Sequence, residues 1–530
     1  MCLGLMNLGR TPIRPFLLLL NLIATPCWFL ARADLPSELN AAAEAVERGE
    51  YLPAETRLLA IEKRLTPESG NSLTEATILL KLAAIYTAQN RYNELTSVLH
   101  RAIAIYENLP GEYHNLSTAL NNLGAVCERT GKITEAMGLY LRALQVREAA
   151  LGPDSPELAA LLSNLGNIER EQGLYAAAER RLLRGLQLSL NAAGTAVTRS
   201  RILNNLGLLY RTEERYAEAD ANYRQALALE GEIDTGTTLN NLADLLNAEG
   251  KLAEAEEVIR RALELQQRRF GAGSVEVAGI INNLGGICDG LGKNGEARTL
   301  FERASGILEA KFGPESPLLG PILNNLGRLY LAAGDLKKAD PVLKRALRLV
   351  EKTNGPDHLE VASTLTNLAI LNASQRHYRE AEILNERSLR ILTKMADSTQ
   401  PSMRAVLMIG AVLNNMGFVS FGRHRYATAE EQFLKAIETK RKTGSALDVS
   451  VAPVYRNLGD VYVAEKRFQD AKRCYGEAIR IWDATAPQNS QLAAPLENYA
   501  KVLRKTEDYA EAELAETRAL GIRVRSSLRN

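Results

Sequence analysis

Residues 202–210 read ILNNLGLLY, with Asn204 and Asn205 set side by side in an apolar run. Asparagine is a mediocre helix former, because its amide competes for nearby backbone groups. Yet almost the same word returns as LNNLG at 120, LNNLA at 239, INNLG at 281, LNNLG at 323 and LNNMG at 413. A polar pair written repeatedly into an apolar segment marks a repeating unit. Its second asparagine serves below as the anchor of each unit.

The anchor falls at Asn40, Lys81, Asn122, Asn164, Asn205, Asn241, Asn283, Asn325, Asn367, Asn415, Asn457 and Asn498, mostly 41 or 42 residues apart. Periods of this size indicate a solenoid or array, which grows by stacking rather than by enclosing one core. Two residues after the anchor stands Gly or Ala, as at Gly124, Gly207 and Ala500. Fourteen after it stands Ala in eleven of the twelve units, Leu95 being the exception. Small residues at fixed places on paired helices allow close approach. Tyr175, Tyr216, Tyr378, Tyr426 and Tyr509 supply bulk early in each second helix. Gly131, Gly173, Gly250, Gly292 and Gly334 fall where a helix must stop. Linkers such as LGPDSPEL at 151 and FGPESPLL at 312 end one helix with Gly-Pro and restart the next with Ser-Pro. Each unit therefore reads as helix, tight turn, helix. A period-two strand pattern is missing from the sequence, and the expected fold class is all-α.

The pattern N-L-(A/G)-x-x-Y-x-x-x-G-x-Y-x-E-A resembles the tetratricopeptide repeat. Its 42-residue form, with LGPDSP-type linkers, resembles the repeats of kinesin light chains and of many bacterial proteins. GPDHLEVASTLTNLAIL at 355 is an especially close match. The resemblance covers residues 35 to 522. It implies a right-handed α-solenoid of about twelve units, with the first helix of each unit lining a concave groove. It also implies a non-enzymatic scaffold or adaptor that binds a peptide or protein segment there. The alternative is a structural assembly subunit that binds folded partners, or itself, through its convex face and ends.

Within that frame the anchors Asn122, Asn164, Asn205, Asn241, Asn283, Asn325, Asn367, Asn415, Asn457 and Asn498 are candidate groove residues. Their amides can both donate to and accept from a peptide backbone. They can equally bond between adjacent first helices, and the two roles are compatible. Choice among ligands falls to neighbouring groove positions: Arg201, Arg211, Arg328, Phe418, Phe421, Lys501, Arg504 and Lys505, with Asp244 and Asp289 of opposite sign. Only Lys81 is basic at an anchor, so a clamp for a C-terminal carboxylate is not expected.

Residues 1–33 differ from the rest. Arg10 and Arg14 precede the apolar FLLLLNLIATPCWFL of residues 16–30, and Ala31-Arg32-Ala33 follows. This is the order of a secretory signal peptide. The apolar stretch is short for a bilayer span, so an uncleaved anchor is the second reading. No later segment is expected to cross a membrane. Removal of residues 1–33 would leave 61 basic against 63 acidic residues, a balance that speaks against a dedicated nucleic-acid binder. The expected organisation is a signal at 1–33, units one to eight over 34–394, an irregular longer linker at 395–408, units nine to twelve over 409–522, and a basic tail at 523–530. The expected location is the periplasm, the cell envelope or the exterior. The partner is an unnamed protein or peptide, and oligomeric state is open.

Signals for chemistry are missing from the sequence. His100, His114, His358, His377 and His424 are scattered, and neither C-x-x-C nor H-E-x-x-H occurs. Phosphate-loop and nucleophile-elbow motifs are also missing. No catalytic residue, metal ligand or cofactor is assigned. Cys127, Cys288 and Cys474 lie in different repeats and read as buried apolar filler.

Overall fold

A computed structural model describes residues 35–48, 50–65, 72–89, 91–190, 194–229, 235–397, 403–443, 449–485 and 492–527. The signal-like segment 1–33, the centre of the linker at 395–408 and the end of the basic tail lie outside these residues. The described residues hold 24 α-helices, from α1 (Leu35–Glu47) to α24 (Tyr509–Ser527), and no strand. The fold is an all-α solenoid of paired helices, as the repeat spacing implies.

The anchors fall on alternate helices. Asn40 lies on α1, and the next anchors lie on α3 (Ser72–Ala88), α5 (Tyr113–Arg129), α7 (Ala159–Glu171), α9 (Ala196–Thr212) and α11 (Thr235–Ala248). The series continues on α13 (Val275–Gly290), α15 (Leu319–Ala332), α17 (Leu359–Ser374), α19 (Met403–Gly422), α21 (Ala452–Ala464) and α23 (Ala493–Lys505). These are the first helices of the twelve units, and each even-numbered helix is a second helix.

The small residue two places after the anchor meets a bulky one eighteen places after it. A methyl group built at Gly207 would stand 2.5 Å from the Tyr223 ring, and one at Gly417 would stand 2.6 Å from the Phe433 ring. Gly124 faces Tyr140, and Gly327 faces Leu343, in the same way. The missing side chain creates the socket into which the second helix seats its plug, and these plugs are fully buried.

The turn inside each unit is equally regular. Nine residues after the anchor the backbone is left-handed: Gly131 has φ 79° and Gly173 has φ 74°. The next amide then reaches back across the helix end, as from Lys132 N–H to the Cys127 carbonyl at 2.8 Å. Glu214, Arg376, His424, Lys466 and Glu507 adopt the same conformation without being glycine. Cys127, Cys288 and Cys474 are buried and free, and burial pushes the Cys127 thiol up to about 11.

The described residues form two compact units, one ending at Asn283 and one beginning at Leu284. The division falls inside α13, and the longer linker at 395–408 comes later in the sequence. Helix α18 (Tyr378–Ala396) and α19 flank that linker and pack on each other.

Candidate functional site: the first-helix wall

The doubled asparagine is a stitch between units. The anchor amide donates to the residue just before the anchor of the preceding unit. Asn164 donates to Asn121 at 2.8 Å, Asn241 to Asn204 at 3.0 Å, and Asn283 to Asn240 at 3.0 Å. In the second compact unit Asn367 donates to Asn324 at 2.9 Å, and Asn457 to Asn414 at 2.9 Å. Asn205 donates to Ser163 at 3.1 Å and Asn498 to Asp460 at 3.4 Å. In these Asn–Asn pairs the first asparagine of the word accepts and the second donates; Asn498 instead reaches the residue three after the preceding anchor, and the Asn282 oxygen is buried without a hydrogen-bond partner among the described residues. Each such bond contributes about 1 kcal/mol and fixes the register of two first helices.

The remaining anchors follow their neighbours. Asn122 would meet Leu80, which cannot accept, and Asn415 would meet Thr366, whose hydroxyl bonds the Ala362 carbonyl and Ser388. Asn241, Asn283, Asn325, Asn367 and Asn457 are buried, and the other five candidates are half-buried. Lys81 is buried as well, which removes the one basic anchor from the surface. Among the described residues no side chain donates to the amide oxygens of Asn164, Asn241 or Asn367, so an acceptor remains at each.

Beside the stitch run two further rows, three and six residues after the anchor. In the first compact unit they pair with each other. Asn167 donates to Glu128 at 3.3 Å, and Arg211 forms an ion pair with Asp244. Arg170 donates to Asn167 at 3.0 Å and is almost buried, which pushes its guanidinium below its usual range. Burial raises the Glu128 carboxyl above its usual 4.5, while the Tyr140 hydroxyl, donating at 2.7 Å, opposes the shift. Arg201 is half-buried on α9 and is also engaged. The second compact unit begins the same way, with Arg328 paired to Asp289, whose carboxyl burial pushes above 3.8. Arg211, Asp244, Asp289 and Arg328, which the sequence offered separately, are therefore neutralised in pairs.

Beyond Arg328 the rows turn mostly apolar, with half-buried Asp460 the charged exception, bonded by the Tyr475 hydroxyl at 2.5 Å and by Asn498 at 3.4 Å. Ile370, Phe418 and Val463 are 36%, 45% and 37% exposed. Phe421 is tucked against Tyr426, with ring centroids 5.8 Å apart, and packs on the core. The wall then ends on exposed Lys501, Arg504 and Lys505 of α23. Arg504 is held by Glu516 through bonds of 3.0 and 2.8 Å. Arg523 grips Glu497 at 2.6 and 2.8 Å, and Arg518 pairs with Asp483, so most of the C-terminal basic group is neutralised.

Helix α19 corrects one sequence expectation. Its Ala405–Gly422 window is long and apolar enough to cross a membrane, and only 33% of it is buried. It nevertheless packs against its neighbours α17, α18 and α20 (Tyr426–Thr443) in the solenoid. Its excess apolar character lies on the wall. Sequence reasoning picked out Phe418 but missed Ile370 and Val463, which appear only when the rows are read across units.

The family model described as Tetratricopeptide repeat matches residues 74–149, 116–191, 157–230, 234–310, 277–352, 318–394, 408–484 and 450–523. Among solved structures, the crystal structure of BtubC (BKLC) from P. vanneervenii is 22% identical, with a TM-score of 0.35. That match covers 44% of this chain and 92% of that one. The crystal structure of the APC/C hetero-tetramer Cut9-Hcn1 is 14% identical with a TM-score of 0.48, and covers 91% of this chain and 92% of that one. No curated protein matches the sequence.

Proposed function

The chain belongs to the tetratricopeptide repeat family, and from that premise we propose that it is a non-enzymatic scaffold that holds a segment of another protein along its first helices. One observation carries this reading. The residues that build the stack recur from unit to unit, while the rows three and six residues after the anchor change chemistry, and Ile370, Phe418, Val463, Lys501 and Arg504 in them are exposed. An invariant frame with a variable face is what selective recognition needs, and repeat folds use such extended faces for binding. The acceptor oxygens left on Asn164, Asn241 and Asn367 would take N–H groups from a bound backbone. The N-terminal pattern of residues 1–33 favours a place in the cell envelope.

Photo-crosslinking tests the reading. A benzoylphenylalanine placed at Leu208 or Phe418, both on the wall, should capture a discrete partner in cells that produce the chain. The same group at Ile383, 58% exposed on a second helix, should not. Capture from Ile383 alone would favour the assembly-subunit alternative, in which folded partners meet the outer face.

A further inference from the structure

The apolar section of the wall has dimensions of its own. On α19, Leu407, Ala411, Asn414 and Phe418 follow one another at the i, i+4, i+7, i+11 spacing of a single helix face. Leu407 is half-buried, and Ala411 and Phe418 are exposed. To either side stand Ile370 on α17 and Val463 on α21, on the two first helices next to α19. The face is thus broad in both directions.

Its period points to the shape of the occupant. Packed helices lie about 8–10 Å apart, so the wall offers an exposed apolar group on each of three successive first helices, Ile370 and Phe418 three residues after the anchor and Val463 one turn further along, beside half-buried Asp460. An α-helix returns a side chain to the same line every seventh residue, about 10 Å along its axis. An extended strand repeats on one face about every 7 Å and falls out of step. A polyproline helix repeats near 9 Å, but its narrow ridge would leave much of the α19 line uncovered.

Charge sets the direction. At the α15 end, Arg328 and Asp289 neutralise each other. At the α23 end, Lys501 and Lys505 are exposed, and neither has an acidic partner among the described residues. We propose that the wall formed by α17, α19 and α21 docks an amphipathic helix of a partner protein, apolar face inward, with its acidic end over Lys501 and Lys505. This rests on the scaffold reading above and names the partner class for one section of it. Burial of Phe418, Ile370 and Val463 supplies the affinity, and the lysines supply orientation and salt sensitivity.

The test uses the full chain and a fluorescent synthetic peptide of about 20 residues, with leucines at helical i, i+3, i+7, i+10 spacing and glutamates at one end. Anisotropy should show saturable binding. The combined variant Ile370→Ser, Phe418→Ser, Val463→Ser should weaken it about tenfold or more, since a few central apolar anchors dominate such interfaces. Lys501→Glu with Lys505→Glu should weaken it about threefold or more, and less so in high salt. Circular dichroism melts confirm that both variants fold. The proposal is overturned if the peptide does not bind, if a scrambled or proline-rich peptide binds as well, or if the serine variant binds normally. Crosslinking from Leu208 without any from Phe418 would keep the scaffold reading and still remove this inference.

Discussion

The two compact units use one frame to present two different faces. In the first, the rows beside the stitch carry Glu128, Asn167, Arg170, Arg211 and Asp244, bonded among themselves. In the second, the same repeat positions carry Ile370, Phe418, Phe421 and Val463 once the Arg328–Asp289 pair is passed. The stitch and the glycine socket are common to both. The difference shows that stacking and recognition are separable here. Stability resides in contacts that point between helices, while the wall rows are free to vary.

The sharpest way to break this comparison is to attack the frame in both units at once. Gly207→Val and Gly417→Val each place carbon atoms inside a buried ring, where an added Cβ alone already lies within 2.6 Å or less of it. Each should cost about 3 kcal/mol or more, because an overpacked core can relieve the clash only by moving a helix. Urea melts of the two variants should show similar losses, and the variant of either unit should affect its own stack. Phe418→Ser, on the wall, should change stability by no more than about 0.5 kcal/mol. A large loss from the wall variant, or a negligible one from either glycine variant, would show that frame and face are not separate.

The frame was largely legible in the sequence. The twelve anchors, the small residues after them and the glycine turns sit at short fixed offsets, and helical spacing turns such offsets into faces. The partner of each asparagine was not legible. Asn164 bonds Asn121, which lies a full unit earlier, and nothing local to the word LNNLG distinguishes an amide facing a neighbour from one facing a ligand. The ion pairs were hidden for the same reason: Arg211 and Asp244 looked like separate groove charges until the stacking placed them together. Ile370 and Val463 escaped notice because an isolated aliphatic residue in a helix ordinarily signals core.

A single position tests how far the socket rule holds. Eighteen residues after the anchor the units carry Leu58, Leu99, Tyr140, Leu182, Tyr223, Ile259, Phe301, Leu343, Phe433 or Tyr475; the last unit carries the exposed Glu516, and the unit of Asn367 carries the buried Asn385. Asn385 is 0% exposed, and neither its amide nitrogen nor its oxygen has a hydrogen-bond partner among the described residues. A buried amide left in this condition costs about 1–3 kcal/mol. Asn385→Leu should therefore raise stability by roughly that amount and shift the urea midpoint upward. No gain would mean that the amide is satisfied in solution, most simply by a water molecule.

The smallest expected effect separates the two compact units once more. In the first, the left-handed turn position is glycine at Gly131, Gly173 and Gly250, and among the described residues Glu214 is its non-glycine member. In the second, only Gly292 and Gly334 are glycine, whereas Arg376, His424, Lys466 and Glu507 hold φ of 60–66° with a side chain attached. A left-handed conformation costs an ordinary residue about 1–2 kcal/mol, partly offset by the greater freedom that glycine has in the unfolded chain. Lys466→Gly and Arg376→Gly should each stabilise the protein by about 0.5–1 kcal/mol, and Glu214→Gly should do the same for the first unit. The gains should add, because the turns lie in different repeats and share no partner. The apolar wall and the strained turns thus occur in the same compact unit. If glycine at these turns raises stability without weakening peptide binding, the strain is incidental to the face. If binding falls as the turns relax, the positions of α17, α19 and α21 on the wall depend on those turns, and frame and face are coupled in that unit alone.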